Sequence, residues 1–192
     1  ANTDRVILGS HIDSIAGFRG TGRSPGSDDD GSGTVSNLEV FRILMKTGWI
    51  PDRPTEFHFY AAEEAGLLGS KAIVTQYVKD DIPVRSMMQL DMTLYPGKNG
   101  NEASVFGLIT DYVSPDLTEF IRILVDTYST FNWVNSKCGY ACSDHASWTA
   151  AGYASCFPFE TKFDDDNPYI HSSKDTIDKL SFDHGKEFIK VA

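Results

Sequence analysis

The sequence predicts an α/β fold in which a mostly parallel central sheet is sandwiched by helices. Three observations lead there. Short apolar, β-branched runs alternate with segments of helical periodicity along the whole chain. No internal repeat or linker divides residues 1–192, which read as a single domain. Hydrophobic residues make up 41% of the chain and charged residues 23%, an ordinary globular composition with enough length for a substantial core.

Residues 5–10, RVILGS, form a short apolar run ending in Gly-Ser, the pattern of a buried strand. The glycine- and serine-rich stretch 17–33 reads as loop. Over residues 34–46, Val35, Leu38, Phe41, Ile43 and Leu44 mark one face of a helix that Gly48 ends. Residues 55–62, TEFHFYAA, read as a second strand, followed by a helix over 68–79. Residues 87–92 and 104–109 give two further strands. Ser114 and Pro115 supply the cap and first-turn proline of a helix whose body runs over 116–131. A short helix over 144–151 is closed by Gly152, a strand follows at 154–159, and residues 182–192 begin an amphipathic helix.

Lysine and arginine total 17 against 27 acidic residues, a net charge of −10 that would repel a polyanion, so no nucleic-acid partner is expected. No apolar run approaches the roughly 20 residues that span a bilayer, and no membrane partner is expected. Cys138 and Cys142 flank Gly-Tyr-Ala, a spacing open to a metal pair, a short disulfide loop or coincidence. A zinc site needs four ligands, and no second cysteine pair or histidine pair supplies the rest, which favours the disulfide and an oxidising compartment. Cys156 is left single.

In parallel sheets ligands sit beyond the carboxyl ends of the strands, and that is where acidic and histidine residues gather. His11 and Asp13 follow the first strand, and Asp28, Asp29 and Asp30 lie before the first helix. Glu63 and Glu64 end the second strand, Asp91 the third, and His171 lies in a late loop. Each has an ordinary explanation alone: a structural histidine, a solvated triplet, glutamates complementing a helix dipole. Together, two histidines and three carboxylates suffice for two divalent ions with one carboxylate between them. Zinc suits imidazole and carboxylate donors, and paired ions in hydrolases sit about 3.5–4 Å apart. Neighbouring side chains diverge, so one of Glu63 and Glu64 can ligate while the other acts as general base. Asp13, two residues from His11, is placed to orient its imidazole.

The strings SHIDS, PGSDDDGSG, FYAAEEAGLLGS, LDMT, CGYACSDHASW and NPYIHSSKDT, in this order from Val6 to Leu180, resemble those of the secreted, zinc-dependent leucine aminopeptidases of bacteria and fungi. The resemblance implies a zinc-peptidase architecture and a metallo-aminopeptidase that cleaves N-terminal peptide bonds, preferring apolar first residues such as leucine, with a hydroxide activated by two zinc ions. It implies His11, Asp29, Glu64, Asp91 and His171 as metal ligands with Asp29 bridging, Glu63 as general base and Asp13 as the partner of His11. Spacing does not divide the ligands between the two ions. Cys138 and Cys142 match the family's disulfide beside the cleft, and Met92, Ile109, Phe159, Phe163 and Ile170 match its side-chain pocket. Asp166 departs from the pattern, standing where some relatives carry an aromatic residue, and it opens the question of other first residues.

The resemblance further implies peptide or protein N-termini as substrates, an extracellular location and zymogen processing. Family members have structure before the first strand and a longer last helix. The chain is therefore expected to lack both, as a processed fragment, as half of a nicked enzyme with its N-terminal fragment still bound, or as the ordered part of a longer chain. The alternatives are a carboxypeptidase or single-zinc glutaminyl cyclase of the same superfamily, or an inactive binding module. The complete ligand set and the Glu63-Glu64 pair favour the two-metal peptidase. His58, His145 and His184 are expected to be structural.

Overall fold

A computed structural model describes residues 3–17, 20–98 and 105–192. Strand β1 (Arg5–His11) is followed by α1 (Gly31–Thr47), β2 (Thr55–Tyr60), α2 (Leu68–Lys79) and β3 (Val84–Gln89). Then come β4 (Val105–Ile109), α3 (Pro115–Tyr128), β5 (Asn132–Ser136), α4 (His145–Ala150), β6 (Ser155–Cys156), β7 (Pro158–Phe159) and α5 (Phe182–Val191). Four strands run parallel in the order β2-β1-β3-β6. A second group has the order β5-β4-β7, with β4 parallel to β5 and antiparallel to β7. Only Phe157 separates β6 from β7, so one extended stretch joins the two groups. Ile109 N–H donates to the Phe157 carbonyl at 3.1 Å, tying β4 to that joint.

The sheet is covered on both faces, and strand alternation shows it. Leu8 and Met88 pack on one face with Val40 of α1, Ile121 and Val125 of α3 and Phe188 of α5. Their neighbours Ile7 and Met87 pack on the other face with Val74 of α2 and Trp148 of α4. Strands buried on both sides read as continuous apolar runs, which is why β1 is legible in the sequence. The mostly parallel α/β sandwich expected from the sequence is the fold observed.

Several boundaries move. Helix α1 begins at Gly31 rather than residue 34, because the Asp30 carboxylate caps it by accepting from Gly33 N–H at 2.8 Å. Strand β2 stops at Tyr60, short of the expected residue 62, where Ala62 takes a left-handed φ of 56° and the chain turns into α2. Strand β3 covers Val84–Gln89 rather than 87–92, so Asp91 lies beyond the strand. Helix α3 ends at Tyr128 instead of residue 131. There Glu187 of α5 accepts from Ser129 Oγ and Thr130 N–H, both at 2.8 Å, and holds the chain out of the helix. The expected strand at 154–159 is the β6/β7 pair. Strand β5 is not expected from the sequence; its NWVNS has no apolar run because it pairs only with β4 among the described residues. The first residue of the expected strand 104–109, Ser104, lies outside the described residues.

Candidate metal centre

The carboxyl ends of β1, β2 and β3 open on one edge of the sheet, and the acidic residues converge there. His11 is the last residue of β1 and is buried. Its Nε2 lies 3.1 Å from Asp29 Oδ1 and 3.6 Å from Asp91 Oδ1. The second Asp29 oxygen lies 3.0 Å from Nε2 of His171, which is itself 3.0 Å from Glu64 Oε2. Asp29 thus stands between two groups, with His11 and Asp91 on one side and Glu64 and His171 on the other. This is the division that spacing alone leaves open.

Donor atoms of His11, Asp30 and Asp91 lie within 4.8 Å of one another, as do those of Asp29, Glu64 and His171. Asp30 is poorly suited as a ligand because its oxygens are engaged. Oδ2 accepts from His11 N–H at 2.9 Å, and Oδ1 accepts from Gly33 and Met92 N–H at 2.8 and 3.2 Å. Asp29 is the better third donor for the His11 side. A methyl group on Gly33 would come within 2.1 Å of the Leu90 carbonyl, so the aspartate loop seats against β3's exit only with glycine there.

Three residues fix these candidate donors. Asp175 accepts from the backbone N–H groups of Asp28 and Asp29 at 3.1 and 3.2 Å. Ser143 Oγ donates to Asp91 Oδ2 at 2.5 Å, leaving Oδ1 toward His11. Asp13 accepts from Glu63 and Glu64 N–H at 3.0 and 3.2 Å, anchoring the glutamate turn. The His11 Nδ1 atom lies 3.1 Å from the Asp13 backbone oxygen and 3.6 Å from its carboxylate. Asp13 therefore reaches the imidazole mainly through its main chain. Both residues lie inside strings that carry the family resemblance, Asp175 in NPYIHSSKDT and Ser143 in SDHASW, but spacing alone gives neither this role.

The electrostatics are those of a cation site. Burial alone disfavours a charged His11 ring, but the surrounding carboxylates, Asp91 foremost, outweigh it and raise the proton affinity far above the ordinary value. Hydrogen bonds to Asp29 and Glu64 raise His171 to about 10. Burial, then Asp91, raises Glu63 to about 9. Protons stand in here for positive charge, and a divalent cation would displace them. Glu64 Oε1 is buried without a hydrogen-bond partner among the described residues, the condition of an oxygen that suits a cation.

A cleft of about 380 Å³ runs from this cluster, with Glu63 on its wall, to an apolar end. Met92, Phe159, Phe163 and Ile170 line that end as expected, together with Phe157, which sequence reasoning missed. Ile109 does not line it: fully buried, it packs behind Met92, Phe157 and Phe159 because β4 turns its side chain into the core. Cys138 and Cys142 are disulfide-bonded, and their loop holds Tyr140 and Cys142 against the cleft. Asp111 accepts from Cys138 and Gly139 N–H at 3.2 and 2.7 Å and fixes the base of that loop. The other histidines are structural. His58 sits between Glu56 and Tyr60, His184 Nε2 lies 2.9 Å from the Glu160 carbonyl, and buried His145 lies 4.8 Å from the Phe157 ring.

The family profile described as "Peptidase family M28" matches residues 1–192. The chain is similar to leucine aminopeptidase 1 of Fusarium vanettenii, 47% identical over 194 residues covering 97% of this chain and 49% of the relative. Among solved structures it is similar to the LapA aminopeptidase of Legionella pneumophila, with a TM-score of 0.92 and 39% identity over 99% of this chain and 49% of that one. It is also similar to BSAP, a zinc aminopeptidase from Bacillus subtilis, with a TM-score of 0.76 and 27% identity over 98% of this chain and 44% of that one. The chain spans about half the length of the relatives it matches.

Proposed function

The chain belongs to peptidase family M28, and from that membership we propose that it carries the active site of a metallo-aminopeptidase. Its substrates are peptide or protein N-termini, with apolar first residues such as leucine preferred. We assign two zinc ions to the site, His11 and Asp91 serving one, Glu64 and His171 the other, and Asp29 both. The observation that carries this reading is Asp29, with one carboxylate oxygen 3.1 Å from His11 and the other 3.0 Å from His171. Mixed nitrogen and oxygen donors suit zinc. When bound, such ions polarise the scissile carbonyl and make water a nucleophile near neutral pH.

The protein's own part is proton transfer and positioning. Glu63, held at its backbone N–H by Asp13, takes the proton of the attacking water and returns it to the leaving amine. Its high proton affinity in the acidic ring suits a base, and positive charge in the site is what leaves it ionised. The apolar end of the cleft takes the first side chain, so the substrate's free α-amine lies beside the carboxylate cluster.

We further propose an extracellular enzyme, which the Cys138–Cys142 disulfide supports. A further segment of the same enzyme, kept after zymogen processing, would cover the exposed Leu38, Phe41 and Met45 on α1. The test is hydrolysis of leucine p-nitroanilide by the zinc-loaded protein, with zinc per chain measured alongside. Expected are close to two zinc ions, loss of activity with chelator, and no cleavage of an N-acetylated peptide. A protein that holds no zinc, or that trims free C-termini instead, would overturn the reading.

A further inference from the structure

We propose that Asp166 makes the side-chain pocket a site for basic as well as apolar first residues, selecting peptides that begin with lysine or arginine. The inference rests on the aminopeptidase reading and extends it to a substrate class. Asp166 lines the same cleft as Glu63, Asp91 and His171. It belongs to the loop whose Phe163 and Ile170 form one apolar wall, so it stands on the side of the cleft that takes the side chain.

Its carboxylate is fixed and has no cation in direct contact among the described residues. Oδ1 accepts from Asp164 N–H at 2.7 Å. Among the described residues Asp166 makes no ion pair within 4.0 Å, and the nearby Lys98 is drawn instead to Asp165 at 3.6 Å and to the Asp164 carbonyl at 2.6 Å. Burial raises the Asp166 carboxyl, and the nearby Lys98 offsets that only in part. Tyr140, on the disulfide loop, lines the same cleft.

Lysine and arginine side chains are apolar stems with cationic tips. A stem laid along Met92, Phe163 and Ile170 brings its tip to the rim, where Asp166 waits. Leucine still fits the apolar walls without reaching the carboxylate. A glutamate side chain would set like charge against like and be rejected.

The test compares zinc-loaded wild type with Asp166→Asn and Asp166→Lys on the p-nitroanilides of lysine, leucine and glutamate. Asparagine keeps an acceptor for Asp164 N–H, so the loop should hold. The lysine-to-leucine ratio of kcat/KM should fall at least about tenfold in Asp166→Asn, mainly through KM, on the scale of one charge-assisted hydrogen bond. In Asp166→Lys the glutamate substrate should gain on lysine. An unchanged ratio would overturn the proposal, as would an equal loss for lysine and leucine, which would assign Asp166 to the α-ammonium. Calorimetric binding of L-lysinamide and L-leucinamide reads the same preference without turnover. Weaker lysinamide binding alone in Asp166→Asn supports the proposal even if no anilide is cleaved, an outcome that would instead count against the aminopeptidase reading.

Discussion

Asp29 and Asp30 are adjacent, both buried, and chemically identical, yet one faces two histidines while the other caps a helix and holds three backbone N–H groups. Glu63 and Glu64 divide in a similar way. Replacing Glu63 with glutamine should lower kcat by about 10²-fold or more while leaving zinc per chain near wild type. Zinc lost in proportion to activity would make Glu63 a ligand instead. The residue types of the site were legible because metal chemistry demands histidine and carboxylate near strand ends. Their roles came only from the family resemblance, because three identical side chains in DDD differ only in which way each points. His145 was expected to be structural and carries a cost of its own. Burial lowers its pKa to about 3, and neither ring nitrogen has a hydrogen-bond partner among the described residues. Between its ordinary value of 6.5 and about 3 the unfolded chain therefore binds one more proton, so stability falls as the pH falls, by about 1.4 kcal/mol per unit. Urea midpoints at pH 7 and pH 5 should converge in His145→Phe, which keeps the ring against Phe157; an unchanged gap would place the acid sensitivity elsewhere.

Elements with strong local signals were legible, and those defined by partners were not. Strand β1 announces itself because both faces are buried, and α3 by its Ser114 cap and Pro115. Strand β5 exists because β4 offers a ladder, and α3 ends where a glutamate of α5 captures the next N–H. The disulfide loop is a third element of this kind, and its geometry depends on Asp111 at the exit of β4. Asp111→Ala removes the acceptor for two backbone N–H groups and should loosen the loop that carries Tyr140. KM for leucine p-nitroanilide should rise severalfold with kcat less affected, and Asp111→Asn should restore part of the loss. A fall confined to kcat would instead link Asp111 to the chemical step.

For the whole molecule, the feature that composition conceals is an unbalanced surface. One helix, α1, is 53% exposed at Leu38, 42% at Phe41 and 65% at Met45, while β2 is hydrogen-bonded only to β1 among the described strands. An apolar helix face beside an unpaired strand edge favours association. The 192-residue chain alone should bind an apolar dye and self-associate at micromolar concentration, and Leu38→Glu with Met45→Lys should reduce both. A dye-silent monomer would show that this face needs no cover. The joint between the two strand groups has a different consequence. Ser155 and Cys156 pair with β3, Pro158 and Phe159 pair with β4, and Phe157 between them floors the cleft. A substitution in that floor therefore disturbs the seam between the two strand groups, whereas one at Phe163, Asp166 or Ile170 disturbs only a wall. Descendants of such a fold can explore new diets cheaply at the wall alone, which makes the rim of the cleft the place where lineages should diverge and the floor the place where they should stay alike.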